Sequence, residues 1–340
     1  MKYSGLKILI TGGAGFIGSH LVDSLAAEDA RVTVYDNFSF GKTDNLGKSK
    51  NKIRIINGDI LDLPKLVNAC RGMDMISHHA AQLEIIRGKS DPRHDLNINL
   101  TGTLNVLKAA RINKVSKVIN ASSACVYGQP ETDEQTENHP TNPNWEYGIS
   151  KLAAEKYCLL SCAQGLPVVS IRYAIVFGER EWYRRVLTIF IKRVITDKDL
   201  IIFNKGKYYR DFIYVGDIVR LHNLCITNSR SGGEVFNAGT NIATSVRDLA
   251  SLVLKVSRKN GLKIINENVP EGTQSRQVRG KFRNPADLKG MRLNSGKAFR
   301  LLGWKPEVSL EEGLKKELKW AEQNLKYWSK IIYTKDEKQT

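Results

Sequence analysis

The chain has 340 residues, 41% hydrophobic and 26% charged, with a formal net charge of +17. That length supports one large α/β domain or two smaller ones, each with a sizeable core. No apolar run approaches the ~18 residues needed to span a bilayer, and Met1-Lys2-Tyr3-Ser4-Gly5 leads straight into a strand-like run without a secretory h-region, so a cytoplasmic protein with no membrane contact is expected.

Cys70, Cys125, Cys158, Cys162 and Cys225 are odd in number and not spaced as a metal site. Reduced thiols, no structural disulfide and no metal are expected. The basic residues are spread along the whole chain. Their densest stretch, Arg180 to Arg193, alternates with Trp182, Tyr183, Leu187, Ile189, Phe190 and Ile191. It reads as an amphipathic helix with a basic outer face. A solvated surface is preferred to a nucleic-acid surface, and an anionic substrate fits the same charge.

In chain order, Leu6 to Ile10 is a short apolar run that breaks at Thr11-Gly12-Gly13-Ala14-Gly15-Phe16-Ile17-Gly18. A helical pattern follows in Ile17, Leu21, Val22, Leu25 and Ala26. Arg31 to Tyr35 predicts a second strand closing on Asp36, and Ile53 to Ile56, Met73 to Ser77 and Ser116 to Ile119 predict three more. Asp95 to Arg111 has a helical period in Leu96, Leu100, Leu104 and Leu107. Tyr147 to Ser161 predicts another helix and Val168 to Tyr173 another strand. Strands alternating with helices of this length indicate a parallel sheet covered on both faces, an α/β Rossmann-type doubly wound fold.

The rhythm then loosens. Glu179 to Arg193 reads as helix, Lys205 to Arg210 as a polar loop, and Asp211 to Val215 as a strand. Val246 to Val256 and Leu310 to Leu325 read as helices, and Glu271 to Gly290 as a loop. The expected division is a cofactor domain at 1–173 with a segment returning at about 210–240, a smaller α+β substrate domain at 174–209 and 241–330, and a polar tail at 331–340.

Gly13, Gly15 and Gly18 satisfy G-x-G-x-x-G, and Gly12, Gly15 and Gly18 a wider spacing, between a strand and a helix. Such glycines make the tight turn, let the backbone approach a pyrophosphate and allow close helix–strand packing. The helix N-terminus then offers its N–H groups to phosphate. Asp36 at the next strand end suits the two ribose hydroxyls of NAD and repels the extra phosphate of NADP. NAD is the expected cofactor. Tyr147 and Lys151, four apart on a predicted helix, share one face. An ammonium there stabilises a phenolate and lowers the phenol pKa.

With these features together, the chain resembles the extended short-chain dehydrogenase/reductases, specifically the NAD-dependent nucleotide-sugar epimerases and dehydratases, UDP-glucose 4-epimerase-like, from Lys7 to about Trp320. The resemblance implies NAD contacts from Gly12, Gly15, Phe16, Ile17 and Gly18, from Asp36 and Asn37, and from Asp59 and Ile60 in Gly58-Asp59-Ile60. It adds Ala80, Ala81 and Gln82 under the nicotinamide ribose, Asn99 with Gly102-Thr103, and Tyr173. It implies Ser123, Tyr147 and Lys151 as catalytic residues, with Arg210 in Arg210-Asp211-Phe212 on the substrate diphosphate. Arg283 and Asp287, in an approximate phosphate- and ribose-gripping motif, complete the substrate set, and Leu302-Gly303-Trp304-Lys305-Pro306 matches the C-terminal signature.

Two departures matter. Ala124 and Cys125 stand where family members that eliminate water or decarboxylate place acids, and Ile175 stands where the family has a diphosphate-contacting Asn. The first favours an epimerase over a dehydratase. The implied activity is 4-epimerisation of a nucleotide sugar, a UDP-hexose, through a 4-keto intermediate; a dehydratase or other sugar epimerase is the alternative. Leu83, Glu84, Ile85 and Met291 are the expected sugar-specificity positions. The family's pairing mode implies a homodimer through a four-helix bundle of 95–111 and 147–161. A nucleotide-sensing or RNA-binding protein on the same fold is the competing class, against which the intact Ser123/Tyr147/Lys151 set argues.

Overall fold

The computed structural model describes residues 3–83, 91–181, 183, 185–278, 283 and 288–325. It begins with β1 (Lys7–Thr11), in which Ile8, Leu9 and Ile10 are fully buried. Chain order then runs α1 (Phe16–Ala27), β2 (Arg31–Asp36), β3 (Arg54–Asn57), α2 (Leu63–Ala69), β4 (Met75–His78), α3 (Pro92–Leu96), α4 (Gly102–Ile112), β5 (Lys117–Ser123), α5 (Glu146–Ala163) and β6 (Val168–Tyr173). The second part holds β7 (Ile175–Phe177), α6 (Val186–Ile195), β8 (Leu200–Phe203), β9 (Tyr209–Arg210), β10 (Phe212–Tyr214), α7 (Val215–Thr227) and β11 (Val235–Ala238). It continues through β12 (Thr244–Ser245), α8 (Val246–Ser257), β13 (Ile264–Glu267), α9 (Gly296–Leu302) and α10 (Leu310–Gln323).

The main sheet has seven strands in the order β11-β6-β5-β4-β1-β2-β3, and each pairing is parallel. Ile8 and Ile10 join one apolar cluster with α1 and α7, and Leu9 joins a second with α2 and α4. The sheet is therefore covered on both faces, which explains its runs of Ile and Val without polar alternation. Because the strands are parallel, their C-terminal residues Thr11, Asp36, His78, Ser123 and Tyr173 line up along one edge. Strand order reverses between β1 and β4, where such sheets bind ligands. Beside this sheet lie three two-stranded pairs, β7 with β10, β8 with β13 and β9 with β12, packed with α6, α8 and α10.

Three expectations are corrected. The helix predicted from Asp95 to Arg111 is interrupted by a π-helical turn, Asn97–Thr101. There Gly102 packs so closely on Ile60 that a Cβ would lie 2.2 Å from its Cδ1. The helix predicted from Glu179 begins only at Val186, because Arg180 adopts φ 69°. That left-handed backbone cannot continue a helix. Val215, predicted as strand, is the first residue of α7. α2, α7 and α9 and the strands β7, β8, β9, β11, β12 and β13 escaped the periodicity reading.

A buried ion pair joins the sheet to α5. Glu155 accepts hydrogen bonds from Arg172 Nη2 at 2.6 Å, Arg172 Nε at 3.0 Å and the Ser122 hydroxyl at 2.7 Å. The two side chains are 0% and 5% exposed. Removing one partner strands the other charge inside the protein. Glu155→Ala is expected to lower stability by about 3–5 kcal/mol in urea unfolding, and Glu155→Leu with Arg172→Met to recover most of it.

Candidate functional site

One elongated cleft runs along the C-terminal edge of the sheet. At its start Gly12 takes φ +66°, and a Cβ there would lie 2.6 Å from Ala80 N. At Gly18 a Cβ would lie 2.3 Å from Gly12 O. The loop thus needs glycine at both positions, one for conformation and one for packing. Gly15 caps α1 with no side-chain hydrogen bond. The first-turn N–H groups of α1 and the positive end of its dipole therefore face the cleft, which suits a pyrophosphate.

Asp36 closes β2 at 7% exposure. Its oxygens accept from Ala14 N at 2.9 Å and Phe38 N at 2.8 Å. Burial pushes its carboxyl up and these two bonds pull it back. A carboxylate has lone pairs left after two such bonds, so ribose hydroxyls can still be accepted. Asn37 Nδ2 donates to Asp59 Oδ2 at 2.9 Å, closing the far end beside Ile60. Opposite, Gln82 N donates to Asn99 Oδ1 at 2.9 Å and Asn99 Nδ2 donates to Gln82 O at 3.2 Å. This exchange pins the Ala80-Ala81-Gln82 wall to the π turn. The glycine cradle and the acidic ribose acceptor fit a dinucleotide of the NAD type.

Ser123, Tyr147 and Lys151 meet further along the cleft. Ser123 is the last residue of β5, and the other two are one turn apart on α5. The Ser123 hydroxyl accepts from Cys125 N at 3.1 Å and acts on the Tyr147 phenol, favouring its ionised form. Lys151 is only 3% exposed, and burial pushes its ammonium down to about 8. Tyr147 departs from expectation. Burial raises its pKa, Cys125 and Asp95 add to that, and Arg185 and Ser123 oppose it. The lowering expected from Lys151 does not prevail. Tyr173 lines the cleft beside them, hydrogen-bonded to His222.

The cleft therefore gathers Gly12, Gly15, Phe16, Ile17, Gly18, Asp36, Asn37, Asp59, Ile60, Ala80, Ala81, Gln82, Ser123, Tyr147, Lys151 and Tyr173. Asn99 sits behind the wall rather than on it. Arg210 and Arg283 lie outside the lining. Arg210 Nη1 donates to Tyr209 O at 2.8 Å, and its charge reaches Cys125. Arg283 donates to Val269 O at 2.8 Å and to the Tyr208 hydroxyl at 3.0 Å, and meets Glu271 at 3.1 Å. Asp287 lies outside the described residues, as do Glu84 and Ile85. Leu83 lines the cleft, whereas Met291 is buried in the core.

Sequence reasoning missed Glu181, Tyr183 and Arg185, which line the cleft after the left-handed Arg180. Arg180 itself turns inward, pairing with Asp23 at 2.6 Å. The helix expected from Glu179 hid them, since it begins only at Val186. Arg185 lies 4.0 Å from Glu181, whose carboxyl burial pushes up to about 8. The directions at Tyr147 have a visible consequence. In nucleotide-free protein, ultraviolet titration of the parent and of Tyr147→Phe should give superimposable tyrosinate signals up to pH ~10, the reference phenol value. A difference signal near neutrality would show an ionised Tyr147.

Residues 8–239 match the NAD dependent epimerase/dehydratase family model. A UDP-glucose 4-epimerase of Mycolicibacterium smegmatis is 32% identical over 322 residues, covering 92% of this chain and 97% of the relative. Human dTDP-D-glucose 4,6-dehydratase is 29% identical over 342 residues, covering 96% and 92%. The crystal structure of Thermotoga maritima UDP-glucose 4-epimerase with UDP-glucose superposes with a TM-score of 0.83 at 32% identity, covering 94% of this chain and 99% of that one. No helix among the described residues is long and apolar enough to cross a membrane. The glycine cradle, the acidic ribose acceptor and the Ser–Tyr–Lys cluster thus lie in a chain that belongs to the NAD-dependent epimerase/dehydratase family, with NAD as its cofactor.

Proposed function

We propose that the protein is a nucleotide-sugar 4-epimerase, acting on a UDP-hexose through a transient 4-keto sugar. The observation that carries this reading is the meeting of Ser123, Tyr147 and Lys151 in one cleft beside Ala124 and Cys125, where no carboxyl follows the serine. The relative from Mycolicibacterium smegmatis and the Thermotoga maritima structure, both UDP-glucose 4-epimerases, support it. Gly12, Gly15, Phe16, Ile17 and Gly18 hold the cofactor diphosphate. Asp36 and Asn37 take the adenosine ribose, and Asp59 and Ile60 flank the adenine. Ala80, Ala81, Gln82, Tyr173 and Lys151 surround the nicotinamide end, with Asn99 fixing that wall.

When bound, NAD supplies a cationic ring that accepts and returns the C4 hydride. Tyr147 takes the proton of the sugar 4-hydroxyl and later gives it back. Ser123 donates a hydrogen bond to the same oxygen and holds it toward Tyr147. Lys151 keeps a positive charge beside the phenol. Arg210, Arg283 and Asp287 grip the nucleotide diphosphate and ribose, a planar guanidinium suiting phosphate oxygens. The proposed division of labour gives the cofactor to about 1–173 with the 210–240 return, and the sugar nucleotide to 174–209 and 241–330.

One observation favours a second reading, the 4,6-dehydratase. Glu181 lines the cleft as a carboxyl held neutral by burial, and elimination needs such an acid. Product mass decides, since epimerisation conserves it and dehydration removes one water. Tyr147→Phe is expected to lower turnover of UDP-glucose by at least about 10²-fold while NAD binding is retained. Substantial activity in that variant would sink the assignment.

Exposed Leu96, Ile112, Ile149, Tyr157 and Leu160 lie on α3, α4 and α5. We read them as a homodimer face forming a four-helix bundle with a second copy. Ile149→Glu with Leu160→Glu should convert the dimer to a monomer in light scattering, and an unchanged mass would place the contact elsewhere.

A further inference from the structure

Asp95 on α3 is 1% exposed and is not among the cleft-lining residues. Its Oδ1 accepts from the Ser150 hydroxyl at 2.5 Å and from Asn99 Nδ2 at 3.3 Å. Its Oδ2 has no hydrogen-bond partner among the described residues. A buried carboxylate left half-satisfied costs free energy, so its presence needs a reason. Both donors adjoin the site without lining it. Asn99 clamps the Gln82 backbone, and Ser150 precedes Lys151 and shares its hydroxyl with Tyr147 O at 3.1 Å.

Lys151 is buried and needs a counter-charge. The groups around it that favour its ammonium are Cys158, Glu155, Asp95 and Cys125. Burial holds both thiols protonated at neutral pH. Glu155 is spent on Arg172 and Ser122. His78 and His79, on the other side, are held neutral by burial. Asp95 is the carboxylate that remains. Burial raises its own carboxyl while the bonds from Ser150 and Asn99 pull it back, and its charge acts on Glu146, Tyr147 and Lys151 of α5; the π turn, Asn97–Thr101, brings no ionisable side chain.

We propose that Asp95 is a positioning residue for the reaction, its buried carboxylate joining Ser150 to Asn99 and supplying the counter-charge that keeps protons on Lys151 and Tyr147 at rest. The role rests on the functions assigned above to Tyr147 and Lys151. Its sign is definite. A negative charge favours the ammonium and opposes the phenolate, so it raises both titrations. Turnover needs Tyr147 deprotonated and Lys151 protonated. Removing the charge therefore moves both limbs of the pH profile toward acid, without narrowing it.

Asp95→Asn keeps an oxygen acceptor for Ser150 and Asn99 and removes the charge. The experiment titrates the side chains of carbon-13-labelled lysine by NMR in the nucleotide-free protein, with the Lys151 signal assigned by Lys151→Met. In Asp95→Asn the Lys151 midpoint should fall from about 8 by roughly one unit, the scale of a single charge contact. The pH optimum for UDP-glucose turnover should move to lower pH with it. Ser150→Ala, which keeps the charge, should lower turnover and leave the Lys151 midpoint in place. An unmoved Lys151 titration in Asp95→Asn overturns the proposal and leaves Asp95 a packing residue. Should Asp95→Asn fail to accumulate, Asp95→Ser reads the same midpoint. A parent protein that turns over no sugar nucleotide overturns the epimerase reading instead, and the lysine titration still decides the charge role.

Discussion

The ion pair between Glu155 and Arg172 fixes where the catalytic helix sits. Tyr147, Lys151 and Glu155 are four residues apart along α5, so they form one stripe facing the sheet. At one end of the stripe Glu155 is bound to Ser122 of β5 and Arg172 of β6. Ser122 is the neighbour of Ser123. The contact that anchors the helix therefore also sets Tyr147 against Ser123. Arg172 continues the lock, donating to the Tyr127 hydroxyl at 2.8 Å, which donates to Asn237 of β11 at 2.6 Å. Replacing a buried ion pair with apolar residues is often no loss in stability. Its value here lies in register, since a slip of α5 by one residue would carry Tyr147 and Lys151 together away from Ser123.

The same burial that fixes these groups shifts their titrations. Spacing alone argues that an ammonium one turn away should lower the Tyr147 pKa, but spacing carries no information about solvent. In the folded protein burial is the largest influence on both groups, raising the phenol and pushing the amine down to about 8. Arg185 and the Ser123 hydroxyl act the other way on the phenol. The site at rest holds its protons, and the balance between burial and these few contacts decides when it releases them.

The sheet and cofactor loop were legible because their signals are local. Val168 to Tyr173 matches β6 residue for residue, and the glycine loop lies between β1 and α1 as its spacing requires. The misses came from tertiary causes. Asn99 bonds the Gln82 backbone across the cleft wall and Gly102 sits on Ile60, contacts that accompany the π turn in a segment whose leucine period looks unbroken. Arg180 adopts a left-handed backbone with Asp23 and the Ser19 hydroxyl holding its side chain, neither of which is near it in sequence. Glu181, Tyr183 and Arg185 reach the cleft as a result. A helical period cannot reveal a break that distant partners impose.

The Arg210-Asp211-Phe212 motif shows how a signature can carry two tasks. Asp211 is fully buried and accepts from Thr240 N at 2.8 Å, Thr240 Oγ1 at 2.6 Å, Asn241 N at 3.0 Å and Leu293 N at 3.0 Å. Phe212 packs in the core, where β10 pairs with β7 and Phe212 lies opposite Ile175. These contacts tie Asp211 to two segments, the turn that follows β11 and the chain at Leu293, and so set the position of Arg210, which is half-buried on the adjoining β9. Two of the three residues are thus architecture. Ile175 belongs to that architecture too, packing partly buried against the core. Loss of substrate binding on replacing Asp211 would then report the collapse of the frame around Arg210 rather than a lost contact, because four donors would lose their shared acceptor, Leu293 N among them in the interior.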